Sequence, residues 1–279
     1  VQHHGKDRIK INGLFGSFET PNEGITVKYF STHASGQNPG TSQYRLLEEL
    51  KPMREKVTAS ELKNLNSLLQ RDLNDARVAT QLIPYLLGKT SSKVAFFPAI
   101  LGVLIPQGFL TEENSATYPE PGDEETDEED EISISYGDYW TATEYENTDG
   151  SFGPLGELSL SPDETDIIVL DGQHRGNAFR YLCGLLKKDD GETQIYDSFY
   201  EEVGGPPQEY SSELPVNLIW FEKDSNIDPK IISRNLFVDV NNSAKKVSKS
   251  RNILLDDRLV TSLLTRFFYS GVASQCSFK

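Results

Sequence analysis

The chain has 279 residues, with 27 Lys and Arg against 43 Asp and Glu, a net charge of −16, and 37% hydrophobic residues. This is globular composition with enough apolar mass for a core, and it excludes collagen, coiled coil and wholesale disorder. So strong an acidity also argues against a protein that coats nucleic acid over its whole surface.

Residues 9–18 and 24–30 mix apolar and β-prone side chains and read as strands. A GQNPG loop at 36–40 leads into a short amphipathic helix at 43–50. Thr58 and Glu61 have capping-box spacing, a hydroxyl followed three residues on by a carboxylate. They predict a long helix to about Leu87, with Leu62, Leu65, Leu69, Leu73 and Ala76 on its apolar face. Pro84 is expected to kink or end it. The other face carries Arg71, Asp72, Asp75 and Arg77.

The apolar run 94–105 reads as a buried strand, or a strand pair broken at Pro98. A bilayer span needs about 20 apolar residues, so this run predicts no membrane crossing. With no cationic, signal-like start, the expectation is a soluble, cytoplasmic protein. An acidic insert follows at about 112–131; its segment 120–131 (EPGDEETDEEDE) holds nine carboxylates and no base. It has almost nothing to bury and predicts a mobile loop. Residues 132–145 and 155–160 suggest a small β insert, and 166–170 (DIIVL) a short buried strand. After the turn 171–175 comes an amphipathic helix to about 188, with Ala178, Phe179, Leu182 and Leu185 inward. A polar loop (189–213) and a strand (214–221) precede two further helices, to about 240 and from Ser248 to about 268. Strands and helices interleave without a regular βαβ rhythm, which favours a mixed α/β or α+β domain over a doubly wound sheet.

Two cysteines, Cys183 and Cys276, form no C-x-x-C pair, so a zinc knuckle or thioredoxin-type motif is excluded. With four His in the chain, a multi-His metal site is not expected. Cys183 reads as a core thiol, and Trp140 and Trp220 as packing residues.

The stretch DIIVL-DGQHR-GNAFRYL carries the most chemistry. A strand ends at Leu170, Asp171 and Gly172 turn the chain, and a helix begins around Gln173–Gly176. The first amides of a helix lack intrahelical partners, and the helix dipole adds positive charge there. Arg175 adds a cation able to grip phosphate through two donors, while His174 and Gln173 add orientable polar groups. A nucleotide phosphate or a DNA backbone would fit. The plainer alternative makes Asp171 an N-cap, Gly172 a turn residue and Arg175 a surface ion-pair partner. Local physics leaves both open.

DGQHR at 171–175, with Ala178 three residues on, resembles the signature of the DGQHR-domain family, whose DndB-like members belong to bacterial DNA phosphorothioation systems. A second block, Asn235 to Asn241 with Lys245, Lys246 and Ser248, resembles that family's Leu-Phe, Asp, Asn, basic-pair and Ser pattern. A third, weaker match runs from Arg77 through Leu82-Ile-Pro-Tyr-Leu86 to Phe96-Phe-Pro98. The motif is also similar to the G-x-H-R segment of the ParB/sulfiredoxin superfamily. That likeness implies a ParB/sulfiredoxin-like mixed sheet with flanking helices, and puts Gly172, His174 and Arg175 against a triphosphate. Sulfiredoxins carry a reactive Cys where this chain has Gln173, so sulfinic acid reduction is not expected. The division implied is an N-terminal segment, 1–60, and a DGQHR domain, 61–279, containing the acidic insert.

A basic stripe survives in the acidic chain: residues 230–251 hold six bases and one acid, Asp239. Asn241 and Lys245 are candidates for phosphate; Lys245, Lys246, Lys249 and Arg251, joined by Arg71 and Arg77, are candidates for DNA. The solvated-turn and surface-pair alternatives stand beside these. The resemblance implies a DNA-binding regulatory or accessory protein of DNA phosphorothioation, working beside other DNA-modification proteins, with a homo-oligomer allowed. No Walker A loop is present. The enzymatic alternative is a nucleoside triphosphatase binding ATP or another NTP with Mg²⁺. Gly172 and Arg175 would then hold phosphates, Asp171 or Gln173 would position Mg²⁺ or the attacking water, and His174 would contact the γ-phosphate.

Overall fold

The computed structural model describes residues 8–20, 24–52, 73–90, 94–109, 117–125, 130–186, 197–200, 203–204, 207, 210–223 and 264. The fold is mixed α/β, dominated by one nine-stranded sheet. Its strands are β1 (Ile9–Thr20), β2 (Ile25–Ser35), β3 (Ile100–Pro106), β4 (Glu124–Glu125), β5 (Glu131–Tyr136), β6 (Trp140–Glu146), β7 (Phe152–Leu160), β8 (Thr165–Asp171) and β9 (Glu213–Lys223). The order is β4-β5-β6-β7-β1-β2-β9-β3-β8. Neighbours are antiparallel except β3, which runs parallel to β9 with Ile100 opposite Val216.

The period-2 pattern of these strands sends one set of side chains inward. Ile9, Ile11 and Phe15 of β1 meet Phe30 and Ala34 of β2, Leu158 and Leu160 of β7, and Leu214, Val216, Leu218 and Trp220 of β9. Four strands separate β5 from β9 in the order, yet Tyr136 of β5 packs against Trp220 of β9 with ring centroids 5.8 Å apart. The Tyr136 hydroxyl also donates to Glu222 of β9. The sheet is therefore curled tightly over this half, closing side chain to side chain rather than through a strand ladder. Close approach makes the curl possible: a Cβ on Gly156 of β7 would lie 2.7 Å from the Phe15 ring.

Several sequence expectations need correction. Residues 132–145 and 155–160 are not a separate insert; they supply β5, β6 and β7 of the main sheet. The buried strand begins only at Ile100, and Val94 and Phe96 before it are exposed. Part of the acidic segment is ordered: Glu124–Glu125 pairs with β5, and Tyr118 is buried, donating to Leu104 O at 3.0 Å. Like charges on one short edge strand are tolerable because both glutamates face solvent. Apart from Leu264, which is helical, the expected helices beyond 223 lie outside the described residues, as do residues 58–72 of the predicted long helix and its cap.

Helices are short and lie against the sheet. α1 (Ser42–Glu49) is capped by Thr41, whose hydroxyl accepts from Tyr44 N, and buries Leu46 and Leu47. α2 (Asp75–Arg77), a π-helical turn (Val78–Leu82) and α3 (Ile83–Leu86) form one continuous helical segment. Pro84 has no N–H to donate; a wider turn, closed by Ile83 N on Val78 O, lies directly before it, and the helical segment ends two residues after it, at Leu86. α4 (Gln173–Leu182) packs Ala178, Tyr181 and Leu182 on Val78, Ala79 and Ile83, and α5 (Asp197–Tyr200) adds Tyr200 to that cluster.

At the end of α4, Cys183 is half-buried, and burial pushes its thiol from 9.0 up to about 12. Above pH 9 the unfolded thiol gives up a proton that the folded one keeps, so folding stability is lost as pH rises toward 12. Urea midpoints measured across that window should fall more steeply for the wild type than for Cys183→Ala. Parallel slopes would show that the thiol titrates alike in both states.

Candidate functional site

β8 is an edge strand of the sheet, opposite β4 in the order, and its last residue, Asp171, leads into the DGQHR corner. Gly172 takes a left-handed conformation (φ 92°, ψ 11°) and is itself the N-cap of α4, with no side-chain cap. Asp171 is therefore not the cap. Its carboxylate turns to Arg175, one helical turn on, with Oδ2 2.6 Å from Nη2. The other arm of the guanidinium, Nη1, donates to Pro98 O at 3.1 Å. Arg175 is thus a clasp between the end of β8 and the chain entering β3. Its side chain keeps 16% exposure and that of Asp171 48%, so the pair is reachable from solvent.

Gly172 is required here twice over. Its φ lies in the region other residues avoid. A Cβ would also sit 2.7 Å from Ile100 Cδ1 and 2.8 Å from Arg175 Nη2.

His174 faces a different element. Its Nε2 accepts from the backbone N–H of Asn74 at 3.0 Å. Asn74 is the N-cap of α2, its side chain accepting from Arg77 N at 2.9 Å. The imidazole thereby fixes the start of the helix that carries Arg77, and Arg77 is exposed beside it. The side-chain oxygen of Gln173 is buried rather than presented outward.

Behind the corner runs a buried polar chain that sequence reasoning missed. Arg180 Nη1 donates to Asn177 Oδ1 at 3.4 Å, and Asn177 Nδ2 to Tyr200 Oη at 3.1 Å. The Tyr200 hydroxyl donates to Asp75 Oδ1 at 2.9 Å. Asp75, expected on the solvated face, is instead turned inward and only 9% exposed. The only advance signal was Asn177, a polar residue on the buried side of an amphipathic helix. Tyr200 joins α4 to α2 in this chain. Tyr200→Phe should destabilise the protein by about 1–3 kcal/mol, because it strips a donor from a buried carboxylate. Urea denaturation measures this; a change under about 0.5 kcal/mol would mean that other partners carry the carboxylate.

The structure therefore joins Asp171, Gly172, Gln173, His174 and Arg175 with the segments around Arg77 and Pro98 in one corner. Arg71, Asn241, Lys245, Lys246, Lys249 and Arg251 lie outside the described residues. Among the described residues no group of three or more His, Cys, Asp and Glu is assembled that could hold a metal ion. Among them, too, no helix is long and apolar enough to cross a membrane. No family model, curated protein or solved structure matches the chain.

Proposed function

We propose that the chain is a DNA-binding regulatory or accessory protein of a bacterial DNA phosphorothioation system, similar to DndB. Its sheet would be a variant of the ParB/sulfiredoxin-like arrangement, with the DGQHR corner as its phosphate contact. The observation that carries the reading is the corner itself. A sheet edge ends in a left-handed glycine, a ten-residue helix opens with its N-terminus, and an arginine stands within reach of solvent. Two of the three sequence blocks that carry the family resemblance meet there, through the Pro98–Arg175 contact. A phosphate at the helix start would share Arg175 with Asp171, or displace that carboxylate.

The triphosphatase reading has less support. Asp171 is engaged by Arg175, His174 by a backbone amide, and the Gln173 oxygen is turned inward. A nucleotide phosphate still suits the helix start and Arg175. For Mg²⁺ the Asp171 carboxylate would first have to leave its arginine. The proposed partners remain DNA and other DNA-modification proteins.

Fluorescence anisotropy with a labelled duplex across a salt series tests the proposal. Wild type should bind with a steep salt dependence, and Arg175→Ala should bind more weakly with the log–log slope reduced by about 1. Phosphate release is measured in parallel and should stay at background in both. DNA binding unchanged by Arg175→Ala would overturn the corner as the contact. Turnover abolished by Asp171→Ala would favour the enzyme.

A further inference from the structure

The two most exposed large apolar side chains among the described residues are Val94, at 74%, and Phe96, at 71%. They lie two apart in the run that enters β3, and that run passes through Pro98, whose carbonyl holds Arg175. An isolated surface hydrophobe is ordinary. Phe96 differs because its backbone is pinned on both sides of the Cα. The Tyr85 hydroxyl of α3 accepts from Phe96 N–H at 2.8 Å and donates to Phe96 O at 3.2 Å. The next residue, Phe97, is buried, its ring stacked on that of Tyr85 at 5.7 Å and 23°. Phe97 takes the inward place, and Phe96 is held on the outside.

The phosphate contact lies next to this ring. Two residues of chain span at most about 7 Å, so Phe96 starts within that distance of Pro98. Arg175 reaches Pro98 from α4, with Nη1 3.1 Å from its carbonyl oxygen. A cation and an exposed flat ring are therefore presented side by side at the start of α4. These are the two surfaces that a nucleotide of a single strand engages, its phosphate on the one and the face of its base on the other. Inside a duplex both faces of a base are covered by its neighbours. The ring can meet a base only where that base is unpaired.

We infer that Phe96 stacks on an unpaired base of the nucleic acid whose phosphate the corner holds, so that the corner takes single-stranded or locally opened DNA. The inference rests on the phosphate contact proposed above and adds the base to it. Every base has a π-face, so the contact selects the state of the strand and not its sequence.

Fluorescence anisotropy on the full chain, with two labelled strands of equal length, tests the inference. One is oligo(dT); the other is the same sugar–phosphate backbone without bases. Wild type should bind oligo(dT) about tenfold more tightly than the abasic strand. Phe96→Ala should erase that preference by weakening oligo(dT) alone, with the abasic strand and the melting curve unchanged. Phe96→Trp should keep the preference, and Phe96→Leu, apolar but not flat, should lose most of it. Should Phe96→Ala fail to fold, Phe96→Leu reads the same contact. Arg175→Ala should weaken both strands alike. If wild type binds neither strand, nor duplex, the phosphate contact falls and the stacking with it. If wild type binds the two strands equally, or Phe96→Ala leaves the preference for oligo(dT) in place, the phosphate contact stands and the stacking is overturned.

Discussion

Gly172→Ala should cost on the order of 1–3 kcal/mol from backbone strain alone. The methyl group adds to this, because it would press on Ile100 Cδ1 and on Arg175 Nη2 at under 3 Å. Of the two, the guanidinium can move and Ile100, buried in the core, cannot. The variant should therefore lose the Asp171–Arg175 clasp and stability together. Thermal denaturation reads the loss of stability, at about 2–4 °C per kcal/mol for a chain of this size. DNA anisotropy reads the loss of the clasp, and the drop should match that of Arg175→Ala. A variant as stable as wild type would mean that the left-handed turn is not the folded state of this corner.

Trp140→Ala should be costlier still, about 3–5 kcal/mol, as for other large aromatic truncations in a core. Trp140 is fully buried, stacks on Tyr136 at 5.6 Å and meets Tyr118 edge-on at 6.0 Å. Those rings join the β5–β6 limb to β9, so the deletion hollows out the place where the curl is held shut. Urea denaturation should show the loss, and a cost below about 1 kcal/mol would mean that the surrounding rings collapse into the gap.

The strands were legible because their alternation and β-branched content are local signals. Residues 166–170 and 214–221 were expected as strands, and β8 and β9 cover them with little excess at either end. The helix at 43–50 was equally plain. What the pattern could not reveal was partnership. Nothing local tells that residues 132–160 belong to the same sheet as residues 9–35, because pairings such as Leu14 with Leu155 are made far along the chain. Val94 and Phe96 misled because a run of apolar residues reads as buried whether or not anything covers it.

The corner was legible as a strand–turn–helix with a polar tip, and its glycine behaves as that reading requires. Its partners were not. Asn74 and Pro98 contribute backbone groups, which leave no trace in side-chain chemistry. Asp75 looked like a surface charge, since helical periodicity does not separate a solvated carboxylate from one satisfied by a buried tyrosine.

The strand order also bears on how the chain is made. β2 lies between β1 and β9, and its Ser31 bonds to Asn217, 186 residues further on. During synthesis the β1–β2 hairpin emerges before β7 and β9, and each of its edges stays bare until that partner strand has left the ribosome. Such a topology assembles slowly and is exposed to mispairing while it waits.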